Sequence, residues 1–252
     1  MLTLIVWWLG ILLEALILVQ ALRGGIFGKY PLFYTYIATV LGVSVFLYIA
    51  AQMFPLWYRK AYWNTQIITL AVGCGVILEV IRHVLAPHPG PARFARWAAV
   101  IVFAEIFVAV FLHSFFLREW MPAENSADLE RDLRMAQALA LFVVVFLVFY
   151  YRIAIGRNMK GMIVGFGLYV SVSLISLTLR LFVGSQLSPA WKVIQPASYL
   201  AALSVWTVAL WAYEPNPVAK PPVGKAEYEA LARGTRAVLD DGRSSFKRTT
   251  PS

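Results

Sequence analysis

The chain has 252 residues and a formal charge of +9; 60% of its residues are hydrophobic and 14% charged, whereas soluble domains run nearer about 45–50% apolar and about 25% charged. This is the composition of a membrane protein. Cys74 is the sole cysteine, which excludes an intrachain disulfide, a cysteine-ligated iron–sulfur cluster and a CxxC redox site.

Apolar stretches of the length needed to cross a hydrocarbon core of about 30 Å recur seven times, separated by polar, Pro-rich or charged breaks. The first runs from Leu2 to Leu22 with Glu14 past its middle. It has no Lys or Arg ahead of it and no small-residue cleavage motif behind it, so it reads as a retained span and not as a signal peptide. The second runs from Leu32 to Met53. The third, Ala61 to Ala86, ends in VILEVIRHVLAPHPGP, where Glu79 can meet Arg82 at i+3 or His83 at i+4 before three prolines break the helix. These three side chains are expected to form an ion-paired helix end, with an inner-face docking point or pH-sensitive latch as the functional alternative. Glu79, His83 and His88 lack an obvious fourth ligand, so no metal site is expected.

The fourth segment, Phe94 to Leu117, carries Glu105 near its middle, and the loop that follows, Arg118 to Arg134, is the acidic one, with Glu119, Glu124, Asp128, Glu130 and Asp132. Asn125 to Arg134 reads as a helical start, so that the fifth segment, Leu133 to Tyr151, projects above the bilayer. The turn IGRNMKG is short enough to make the fifth and sixth segments antiparallel neighbours. The sixth, Gly161 to Val183, opens on GMIVGFG, a small-xxx-small pattern. It continues with Tyr169, Ser173, Ser176 and Arg180, whose spacing places them on one face. The seventh runs from Ala190 to Trp211. YEPNPVAKPPVGK is an extended linker, and AEYEALARGTRAVL after it reads either as a short amphipathic helix or as a disordered tail. The domain division is thus 1–213 for the bundle and 214–252 for linker and basic tail.

With the N-terminus outside, fifteen Lys and Arg residues fall on the inner side and six on the outer, which favours N-out, C-in. The positive charge therefore reads as topology and as affinity for anionic lipid; no nucleic-acid partner is implied. An intramembrane charge costs about 2.5–3.5 kcal/mol and needs a partner, water or a path to the interface. Glu14 and Glu105 have no basic residue one turn away, so each is expected either to fix helix packing or to serve a ligand, proton or ion. Arg180 either reaches the headgroups or closes an outward-facing polar pocket together with the Tyr169, Ser173 and Ser176 face. No deep lysine in the last segment, HExxH motif or Gly-rich phosphate loop is present.

FYYRIAIGRNMKGMIVGFGLYVSVS, Phe149 to Ser173, resembles the paired helices and short basic turn of bacterial seven-helix sensor regions, the type found ahead of histidine kinases or cyclases. The resemblance covers mainly the fifth to seventh segments. It implies a bundle that senses a ligand or a membrane state. Because about forty residues follow the seventh segment, too few for a kinase domain, the output would pass to a separate cytoplasmic partner protein.

The sequence thus predicts an all-α, polytopic seven-transmembrane-helix bundle in the inner (plasma) membrane, with the lipid bilayer as partner and without cofactor or metal. Its expected role is sensory or scaffolding, with a proton- or cation-coupled transporter using Glu14 and Glu105 as the alternative. An enzyme is least favoured, since no nucleophile–base pair is visible.

Overall fold

The computed structural model describes residues 2–86, 89–116, 122–183, 188–214, 216–217 and Arg233. Among them are seven α-helices and no strand: α1 (Leu2–Arg23), α2 (Pro31–Met53), α3 (Tyr58–Val84), α4 (Pro89–Phe116), α5 (Pro122–Tyr150), α6 (Arg157–Val183) and α7 (Ser188–Ala209), with a 3-10 turn at Phe27–Lys29. Five stretches, Ile5–Arg23, Pro31–Met53, Lys60–Val84, Glu130–Tyr150 and Arg157–Leu179, are long and apolar enough to cross a membrane, and Val193–Ala209 is a shorter apolar helix. By helix length and composition the chain is a multi-pass membrane protein. Its outer faces agree: Leu12, Phe142 and Val208 are 64%, 67% and 71% exposed, an apolar surface that water would not tolerate over many neighbours.

Local chemistry sets the ends. Pro31 opens α2 at a position where a missing N–H costs nothing. α1 closes through Gly24 and Ile26 N–H groups, which donate to the Gln20 and Ala21 carbonyls at 2.9 and 3.0 Å. Gly25 turns the chain at φ 62°, a conformation that glycine adopts without strain. α5 is 29 residues long, about 43 Å at 1.5 Å per residue, so it exceeds the hydrocarbon thickness.

Residues Met1–Pro217 form one compact unit. Within it each helix packs on its chain neighbour, α7 returns to α1, and α3 also reaches α5 and α6 across the middle. The centre is aromatic. Trp206 of α7 is fully buried, with the rings of Phe33, Tyr36 and Phe166 at 5.2, 6.3 and 6.2 Å. α6 lies directly against α7, because a Cβ at Gly161 would collide with Ala209 and one at Gly165 with the Trp206 indole. The small-xxx-small pattern is therefore the α6–α7 seam. Asn158 ties the C-terminal end of α7, beside Gly161: its amide donates to the Ala209 and Ala212 carbonyls at 2.9 Å each, and its oxygen accepts the Glu214 N–H.

Val218–Ser252 forms a second unit, of which only Arg233 is described. The expectations for the tail lie outside the described residues.

Candidate functional site

Two of the buried ionisable groups, Glu14 and Arg134, lie on opposite sides of a cluster of tyrosines. Glu14 of α1 is 2% exposed, and its Oε1 accepts a hydrogen bond of 2.8 Å from the Tyr199 hydroxyl of α7. Its Oε2 has no hydrogen-bond partner among the described residues. A buried polar oxygen without a donor costs about 1–3 kcal/mol, so this atom needs an explanation.

Arg134 of α5 is the second group, also 2% exposed. Its Nη2 donates to the Tyr169 hydroxyl at 3.1 Å and lies 3.8 Å from the Glu130 carboxylate; Nη1 donates to the Gln137 Oε1 at 3.4 Å. The guanidinium carbon sits 4.6 Å from the centre of the Tyr169 ring, a cation–π contact. Gln137 in turn donates to the Cys74 sulfur at 3.5 Å. Gly73 leaves the room for it, since a Cβ there would come within 3.2 Å of the Gln137 amide.

Tyr169 and Tyr199 join the two halves, with ring centres 5.2 Å apart. A line of polar side chains thus crosses the bundle through Glu130, Arg134, Tyr169, Tyr199 and Glu14. Two cavities flank it. One, of about 290 Å³, is lined mainly by apolar groups, among them Trp7, Gly10 and Leu200, with Glu14 on its wall. The other, of about 380 Å³, is polar and is bounded by Tyr36, Tyr62, Gln66, Thr69, Tyr169 and Gln195. Ser44, Pro196 and Tyr199 belong to both walls. Pro196 lies inside α7, where its missing N–H leaves a carbonyl of the preceding turn without its helical donor. Together the pair offers a polar half with phenol and amide donors and acceptors and an apolar half with a carboxyl. That suits an amphiphilic small molecule.

The residues expected from the sequence fall in several places. Tyr169, Ser173 and Ser176 face the interior, both serines fully buried with hydroxyls that have no described partner. Arg180's side chain lies outside the described residues, as does His88. Glu105 is exposed on α4, which packs on α3 and α5, whereas Glu14 stands on α1, which packs on α2 and α7. The two acids are therefore not brought together.

Glu79 makes a different bond from the one anticipated. Its carboxylate oxygens accept the Leu32 and Phe33 N–H groups at 3.1 and 2.8 Å, capping α2 from α3, because the first N–H groups of a helix have no partner of their own. No Glu79 ion pair occurs among the described residues. His83 binds back to its own helix, Nδ1 donating to the Glu79 carbonyl at 2.9 Å, and its ring lies 5.2 Å from Tyr30. Burial pushes the Tyr30 phenol up to about 12, with Tyr213 and Glu79 adding to it; the phenol stays neutral.

Arg134, Gln137, Tyr36 and Tyr199 escaped the reading of the sequence. For the first two a signal exists: Glu130, Arg134, Gln137, Leu141 and Val144 recur at spacings of three and four and are all buried, the pattern of an inward face. Among the described residues no three His, Cys, Asp or Glu side chains gather to hold a metal ion. The chain matches no protein-family model, no curated protein and no solved structure to which it was compared.

Proposed function

We propose that the chain is a seven-span bacterial inner-membrane protein, N-terminus out, that binds an amphiphilic small molecule between α1, α2, α3, α6 and α7 and relays its presence to a cytoplasmic partner. The reading of α4 and α7 as spans rests on their place in a ring closed in chain order. The orientation rests on the excess of Lys and Arg on one side. In that orientation Gln66, Thr69 and Gln195 stand in the outer half of the bundle, so the polar cavity opens outward.

The observation that carries the reading is the unpartnered Glu14 oxygen at the wall of a cavity whose other wall, Tyr199, it fixes. A hydrogen-bond donor or cation on the ligand would satisfy that oxygen. The sensory role draws on the resemblance of Phe149–Ser173 to seven-helix sensor regions.

The test is retention of a small molecule. The chain is extracted into nanodiscs and denatured, and whatever is released is identified by mass spectrometry. A species released from wild type and lost from both Glu14→Ala and Gln66→Leu supports the reading. The same set of species from all three chains sinks it. Reconstituted flux that depends on pH and disappears in Glu14→Gln would replace it with a coupled transporter.

A further inference from the structure

The ends of α3 and α4 that meet on the side richer in Lys and Arg enclose a cleft of about 460 Å³, lined by Arg82, His83, Ala86, Ala92, Arg93 and Arg96. All three arginines are exposed, and none forms an ion pair with a described carboxylate. The adjacent acid, Glu79, has turned both oxygens to the α2 N–H groups. Arg93 and Arg96 are one turn apart on the same face of α4, with Arg82 facing them from α3. Three like charges around one hollow repel each other, and an anion seated between them reverses the sign of that interaction. The guanidinium fork fits the paired oxygens of a phosphate.

The surroundings select the source of the phosphate. Phe94 and Trp97, on the same turns of α4, are 78% and 60% exposed, and such rings sit at headgroup level in a bilayer. Acyl chains would cover them and a free phosphate would not. We propose that this cleft binds the phosphate of an anionic glycerophospholipid, held by Arg82, Arg93 and Arg96, with its chains along the exposed apolar side of α4. The inference depends on α3 and α4 crossing the membrane; it is independent of the ligand proposed for the tyrosine-lined cavities.

Native mass spectrometry of the full chain tests it, with dioleoyl phosphatidylglycerol, dioleoyl phosphatidylcholine and inorganic phosphate as separate probes. Wild type should take up phosphatidylglycerol on the order of tenfold more tightly than phosphatidylcholine, and Arg93→Gln with Arg96→Gln should abolish that preference. Arg23→Gln with Lys160→Gln removes the same charge elsewhere and should stay within about twofold of wild type. Equal losses in the two double variants, or no loss in the first, overturn the assignment. So does inorganic phosphate binding as tightly as the lipid, which would make the cleft a soluble-phosphate site. Should the first double variant fail to fold, Arg93→Gln and Arg96→Gln alone carry the comparison, with a several-fold loss expected from each.

Discussion

At the scale of single residues, hydrogen-bond satisfaction decides what a substitution costs. Glu14→Gln keeps an oxygen for the Tyr199 hydroxyl, so unfolding in detergent should change by less than about 1 kcal/mol. Glu14→Ala removes the acceptor and enlarges the cavity, and about 1–3 kcal/mol should be lost. Arg134 is more exacting. Arg134→Ala leaves Glu130 buried without its cation, an expected cost of about 3–5 kcal/mol. Arg134→Lys keeps the charge but cannot reach Tyr169 and Gln137 as a planar fork, and should fall between wild type and alanine in thermal midpoint. Glu14 was visible in the sequence because a lone acid interrupts an apolar run. Arg134 was hidden because it stands among other charges, where a loop and the buried end of a long helix have the same composition.

At the scale of elements, α6 and α7 are held at one end by Asn158 and along their length by Gly161 and Gly165. Gly161→Val or Gly165→Val should lower the thermal midpoint and reduce the yield of folded chain, at a cost of about 1–3 kcal/mol for overpacking. Asn158→Ala frees two carbonyls of the α7 end and should cost about 1–3 kcal/mol. Arg152, at φ 49° in the turn between α5 and α6, points the other way: Arg152→Gly should be neutral or slightly stabilising, since glycine alone holds that conformation without strain. Helix positions, the α5–α6 hairpin and the glycine seam were legible in the sequence, because hydrophobic length and small-residue spacing are local signals. The partners were not. Nothing around Glu79 announces that its carboxylate caps a different helix, 46 residues away in the chain; only the packing of α3 on α2 brings them together.

At the scale of the whole molecule, the topology can be read with single thiols. Cys74 is buried, so Cys74→Ala gives a silent background. A cysteine at Ala154 should react with a membrane-impermeant maleimide only after the membrane is opened, and one at Ser126 should react in intact cells; the reverse pattern would invert the orientation. The glycine seam also has a mechanical consequence. With glycine at two α6 positions, the Ala209 methyl and the Trp206 indole rest directly on the α6 backbone, so that pair should move as one lever, and a change in the volume beside Glu14 should come from α1 or α2 sliding past it. If the chain senses the ligand proposed above, a thiol cross-linker from Gly10→Cys to Leu200→Cys, positions where a Cβ at residue 10 would lie 3.9 Å from the Leu200 side chain across the α1–α7 contact, should freeze its response, whereas a bridge within the α6–α7 pair should leave it intact. The tightest contact in the bundle is then its fulcrum, and the looser α1 its moving arm.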